Sequence, residues 1–316
     1  MEDDDLYNTY FALDPNLTYY YPKSTILDIQ HRRETLDGKL FFDLLLAEVA
    51  ELPNASKLYP PKNTGELRDL YNAILTSEKL DLLKKHSFFY YVLKDWNAET
   101  EFARAMLIPP HWCRLMDAYW YLDQMDFPFA LFNLSTPSLN PNFSDKIVTT
   151  LAVHAPPVVA VTFVQVAQPA LENTDVIKAY MSALSRTSVE AAFTYQRTLP
   201  PDLREILFAD LLHMCLEYKP GASLAQLVRL PLDAIEEDIL TKTYSQSASE
   251  LAKETLLVWC LHRGKTNEAL VMAKSKLKSA TTGLGGMKDE LERGMYKSML
   301  QRQPSQVSNS QGSSEC

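Results

Sequence analysis

Asp123 and Asp126 stand three residues apart in the segment YLDQMDFPFAL, and a close carboxylate pair is the arrangement that general acid/base chemistry uses. An aromatic run precedes them and an apolar run follows. A turn carboxylate in that setting caps the next helix by accepting from its free N–H groups, and that reading is the stronger one. His213 and Cys215 suggest a thiol nucleophile with its base, but residues two apart on a helix point to different faces and cannot share a proton. The six histidines are dispersed, with no HExxH pair at metal-ligand spacing. GxxxxGK[ST], GxGxxG and GxSxG are all absent from the chain, so phosphate cradles and nucleophile elbows lack their backbone geometry. Neither a catalytic residue, nor a cofactor, nor a metal, nor a small-molecule substrate is expected.

The elements around these residues read as helices. Leu67, Leu70, Tyr71, Ile74 and Leu75 recur at i, i+3, i+4, i+7 and i+8, with Thr64 placed as the N-cap. Leu36, Leu40, Phe41, Leu44 and Leu45 share one face of a run that Pro53 ends, and 54–63 is a loop. Further helical runs are expected over 77–94, 97–107, 111–123, 127–134, 143–153, 176–184, 188–197, 202–218, 223–229, 233–244, 248–262 and 266–277. Segment 158–166 has the β-branched content of a buried strand, yet no partner strand exists elsewhere, and it is assigned to a buried helix. Glu236, Glu237 and Asp238 fall in a first helical turn, where negative charge suits the macrodipole. Only 9 glycines occur, and most of the 18 prolines lie between apolar runs as helix stops. Leu122 before Ala130-Leu131 and Leu261 before Ala269-Leu270 repeat one spacing, a large residue closing one helix and a small one opening the next. The expected architecture is all-α: an α-solenoid-like array of stacked antiparallel helix pairs in a single extended domain. Residues 1–24 form an irregular acidic, tyrosine-rich arm, 25–280 the helical domain, and 281–316 a flexible polar tail with a short helix around 291–300.

The chain of 316 residues has 46% hydrophobic and 22% charged residues, the composition of a folded protein with ample core material. Its net charge of −9 repels a phosphate backbone, so direct nucleic-acid binding is disfavoured. The segment 265–302 nevertheless holds eight basic and four acidic residues. Four cysteines without a CxxC pair indicate a reducing compartment. The N-terminus lacks the pattern of a secretory signal, and no apolar run reaches a bilayer span, so any membrane association is expected through partners. Aromatic clusters place rings on more than one helix side, and tyrosine buries large area with a polar handle. Tyr19, Tyr20 and Tyr21 of the arm, Phe89 and Tyr90 of FFYY, and Tyr119 and Tyr121 of YWY are the candidate partner-binding residues. A wide core between stacked helices is the competing account of the same rings.

The stretch beginning at Phe102, FARAMLIPPHWCRLMDAYWYLDQMDFPFALFNLSTPSLNPNFSDKIVTTL, resembles the helical domain of the nuclear-pore assembly family ELYS. The matching positions are Pro109, Pro110, Tyr119, Trp120, Leu122, Asp123, Asp126, Ala130, Phe143 and Lys146. SRTSVEAAFTYQR at 185–197 and LVRLPLDAIEEDIL at 227–240 are similar to later segments of that domain. Order and approximate spacing agree over 28–280, in the manner of the compact fungal-type members. The β-propeller and AT-hook tail of larger animal members do not fit in this chain, nor does the RING of a plant relative. The resemblance implies a structural nucleoporin of the nuclear envelope that docks on the outer-ring Y-shaped scaffold complex and supports pore assembly or anchoring. The alternative is a helical adaptor for chromatin or mRNA-export factors that uses the basic C-terminal segment; a ligase subunit would need a partner chain to supply its Cys/His ladder.

Overall fold

Proline and Asx residues set most of the helix starts. The computed structural model describes residues 3–12, 21–136 and 139–282, and side chains from 6 to 274 among them. Every regular element in these residues is helical. The chain divides into two compact units, Met1–Leu199 and Pro200–Cys316, a division that the sequence reading of one extended domain did not place.

In the first unit the elements are α1 (Asp3–Tyr10), α2 (Lys23–Thr35), α3 (Phe41–Leu44), α4 (Ala55–Leu58), α5 (Thr64–Thr76), α6 (Leu82–Lys94), α7 (Glu99–Ala105), α8 (Pro110–Asp123), α9 (Phe127–Leu134), α10 (Ser144–His154), α11 (Pro157–Ala167), α12 (Thr174–Thr187) and α13 (Val189–Gln196), and α3 continues as a π-helical turn, Leu45–Val49. Pro110 and Pro157 occupy first helical positions, where the N–H a proline lacks is not missed. Asn63 and Asp81 accept from Glu66 N and Lys84 N at 2.9 and 2.8 Å, capping α5 and α6. Asn63 therefore holds the cap position expected of Thr64, which is the first helical residue. The ambiguous apolar segment is helix α11, with Val159, Ala160, Val161 and Phe163 buried.

Two further expectations are corrected. Residues 1–24 are not wholly irregular: α1 buries Leu6 and Tyr7, and Phe11 just beyond it packs edge-on to Tyr71 and Phe89 at 5.2 and 5.5 Å. Leu6 with Tyr10 and Tyr7 with Phe11 are i, i+4 pairs, but eight residues are too few to establish a period. The face expected to run from Leu36 to Leu45 is broken by Asp37 and Gly38 at φ +59 and +78°. A left-handed pair ends α2, and α3 starts afresh.

α3 is held at the centre of the first unit. The Arg33 guanidinium of α2 donates to both Asp43 oxygens, at 2.7 and 3.0 Å, and to the Tyr59 carbonyl at 2.6 Å. Lys146 of α10 donates to the Leu36 and Lys39 carbonyls at 2.9 and 2.8 Å, closing the turn after α2. Hairpins follow: α8 with α9, whose Leu122 and Ala130 are both fully buried, then α10, α11 and α12 against one another.

In the second unit lie α14 (Pro201–Glu217), α15 (Pro220–Leu227), α16 (Ala234–Gln246), α17 (Glu250–His262) and α18 (Thr266–Thr282). Asp233 and Glu236 form a reciprocal capping box at 2.9 Å each way, so the expected acidic first turn of α16 is present. Glu237 of α16 pairs with Lys265 at 2.8 Å, tying α16 to the turn between α17 and α18. At that junction Ala269 is buried as its spacing implied, whereas Leu261 is exposed and Cys260 is the buried residue. The expected helix near 291–300, and the tail beyond 282, lie outside the described residues.

Candidate partner-binding surface

α6 and α8 carry most of the candidate aromatic residues, and their spacing decides which rings reach solvent. On α6 an unbroken run from Ser87 to Leu93 is buried, because this helix lies between several neighbours. Phe89 stacks on Tyr71 with centroids 4.6 Å apart. Tyr90 donates its hydroxyl to Asp117 at 3.0 Å, and burial raises its pKa, with the Asp117 charge adding to the effect. Tyr119 stacks on Phe41 and donates to the Asn142 carbonyl at 3.0 Å. Tyr21 donates to Asp95 at 2.6 Å and is buried.

Tyr21, Phe89, Tyr90 and Tyr119 are therefore core side chains of the first unit and present no surface to a partner. A tyrosine hydroxyl that finds an internal acceptor makes the whole ring buriable. Tyr19 and Tyr20 lie outside the described residues. Tyr121 differs: it is half-buried and stacks on Phe129 of α9, with centroids 5.3 Å apart, and Lys94 sits 5.1 Å from its ring.

Two aspartates, Asp95 half-buried and Asp123 buried, organise the network beneath these rings. Asp95 accepts from Tyr21, Tyr59 and Trp120 Nε1 at 2.6, 2.7 and 2.7 Å. Asp123 accepts from Phe41 N, Phe42 N and Tyr91 Oη at 2.7, 3.0 and 2.7 Å. Burial pushes Asp123 up to about 7, against the opposing pull of those three donors. Its role is capping, as expected of a turn carboxylate, but the helix it caps is α3, 82 residues earlier, and not α9. Asp126 occupies the N-cap position of α9 without a side-chain cap bond. Both carboxyl oxygens of Asp123 are committed to structure, so the pair assembles no acid/base site. Among the described residues no group of His, Cys, Asp and Glu side chains is placed to hold a metal ion, and no helix is long and apolar enough to cross a membrane.

Among the described residues, the exposed phenylalanine rings are on α9. Its sequence FPFALFNL is apolar on every side; Phe127, Ala130, Asn133 and Leu134 turn inward, while Phe129 is 56% and Phe132 71% exposed. A helix hydrophobic all round normally has neighbours all round. Sequence reasoning passed over Phe129 and Phe132, although three phenylalanines at i, i+2 and i+5 in one eight-residue helix cannot share one buried face. Phe129, stacked on Tyr121, and Phe132, three residues further along α9, make an exposed aromatic ledge.

The described residues form an all-helical framework that leaves two phenylalanine rings of α9 exposed. Comparison with known proteins gives its kind. Residues 39–247 match the family model "ELYS: Nuclear pore complex assembly". The chain is 31% identical over 244 residues to "Uncharacterized protein ely5" of Schizosaccharomyces pombe, covering 77% of this chain and 81% of that protein. It is 25% identical over 236 residues to "Protein ELYS" of Xenopus laevis, covering 70% of this chain but 10% of that much longer protein. The chain belongs to the ELYS family, a family of nuclear pore complex assembly, and its place is the nuclear pore.

Proposed function

We propose that this protein is a structural nucleoporin that docks on the outer-ring Y-shaped scaffold complex through the ledge of Tyr121, Phe129 and Phe132, and in doing so supports pore assembly or anchoring. The observation that carries the proposal is the exposure of Phe129 and Phe132 on a helix otherwise committed to the core. Interface centres favour aromatic anchors that pack into a partner's pockets. Family membership supplies the kind of partner, a pore subunit.

Size-exclusion chromatography of the purified chain with reconstituted Y-complex, at about 0.15 M salt, tests this; there, charge contacts beyond about 8 Å are screened. Stoichiometric co-elution that Phe132→Glu abolishes is the expected result. Unchanged co-elution of that variant would move the interface elsewhere, and failure of the wild-type chain to co-elute would sink the docking reading.

A further inference from the structure

Among the described residues, the second unit carries an open groove between α14 and α16. Its walls are one face of each helix: Glu205, Ile206, Ala209 and His213 at helical spacing on α14, and Ile239, Lys242, Thr243 and Gln246 on α16. The groove has a volume of about 580 Å³ and continues into a smaller recess at Pro201, Arg204, Phe208, Asp233 and Ile235. Since N-terminal residues of α14 meet N-terminal residues of α16, and His213 meets Gln246 and Ser247, the two helices run parallel. Tyr244 confirms the register by donating to the Leu212 carbonyl at 2.9 Å. From Pro201 to His213 the trough is about 18 Å long at the usual helical rise, or about three turns.

Its chemistry is graded along that length. Ile206 and Ile235 stand 50% and 58% exposed at one end, with Ala209 and Ile239 further along. The same end carries the exposed Glu205, together with Arg204 and with Asp233 and Glu236, whose carboxylates are held in the α16 capping box; the other carries His213 and Lys242. A trough with an apolar strip of Ile206, Ala209 and Ile239 between polar side chains, bounded by parallel helices, matches the receptor half of helix-in-groove recognition, in which i, i+3, i+4 and i+7 side chains of the ligand supply the anchors.

We infer that this groove receives an amphipathic helix of about three turns from a partner protein, acidic in its first turn and basic in its last. In that direction its acids face Lys242 and its bases face Glu205, and its dipole opposes those of α14 and α16. Acids first and bases last is also the order that stabilises a helix by itself. Nothing in this inference depends on the α9 ledge, which belongs to the other unit.

The probe is a synthetic peptide of about 14 residues with leucines at i, i+3, i+4 and i+7, glutamates in its first turn and lysines in its last, labelled for fluorescence anisotropy against the full chain. Saturable binding is expected, weakened about tenfold or more by Ile206→Glu and by Lys242→Glu. Both side chains are exposed, so circular dichroism should show these variants folded as the wild type is. Absence of saturable binding, or an affinity of both variants equal to the wild type's, overturns the proposal. So does a concentration-dependent dimer that Ile206→Glu dissociates, because the groove then takes a second copy. Amide-exchange protection of 287–300 in the unliganded chain, lost in Ile206→Glu, likewise overturns it by giving the groove to the protein's own C-terminal segment.

Discussion

Asp123 reconciles two opposing demands. It is buried, which favours its neutral form, and it accepts three hydrogen bonds, which favours the carboxylate. Burial is the larger influence, so its folded pKa of about 7 lies above the ordinary carboxylate value in the unfolded chain. The native state then binds this proton more tightly than the unfolded state does. The stabilisation from that proton is complete below about pH 4 and is lost as pH rises toward 7. Urea titrations at pH 5 and pH 8 should show the wild type losing stability relative to Asp123→Asn across this interval; parallel curves would refute the assignment. Removing the side chain is a harsher change. Asp123→Ala leaves the Phe41 and Phe42 N–H groups and the Tyr91 hydroxyl without their buried acceptor, and should lower unfolding free energy by about 3 kcal/mol or more. A loss below about 1 kcal/mol would mean that water replaces the carboxylate.

At the scale of elements, helices were legible wherever proline or an Asx residue interrupted apolar periodicity. The starts of α5, α9 and α14 fall within a residue of their sequence-based positions because such signals are local. The break between α2 and α3 was not, since the periodic leucines continue through it and the Asp37-Gly38 turn is stabilised from afar by Lys146. That lysine matches a position of the ELYS pattern, and its two carbonyl acceptors give it a structural function. Lys146→Met should cost about 1.5–3 kcal/mol, the worth of hydrogen bonds to a charged group, read as a shift in the chemical-denaturation midpoint. Aromatic site residues were the least legible feature. FFYY and YWY look alike as strings, yet Phe89, Tyr90 and Tyr119 are core and Tyr121 reaches the surface, a distinction set by which helices pack on α6 and α8. Tyr119→Ala should therefore destabilise by about 3–5 kcal/mol, as large-to-small core changes do, while Phe132→Glu should leave thermal stability nearly unchanged. If Tyr119→Ala left stability intact, the division between core and ledge drawn from burial would be wrong.

For the whole molecule, the decision between docking scaffold and nucleic-acid adaptor rests on how its charge is distributed against its apolar surface. A chain of net charge −9 whose exposed rings, among the described residues, lie on α9 should hold its partner chiefly through apolar burial. Such binding is weakly sensitive to ionic strength, and a kosmotropic salt strengthens it. Binding through the basic segment 265–302 would behave oppositely: each phosphate neutralised releases counterions, and affinity falls steeply with salt. Pull-down of Y-complex by the immobilised chain should thus survive a rise from about 0.15 to about 0.5 M sodium chloride, a range over which screening shortens from about 8 Å toward a few Å. The same chain should retain no duplex DNA over that range. Phe132→Glu supplies the internal control, since it must abolish the salt-resistant fraction without touching any salt-sensitive one. Were the retained complex instead lost by 0.5 M salt, and equally in wild type and variant, the partner would be held by charge, the α9 ledge would be incidental, and the adaptor reading would take precedence.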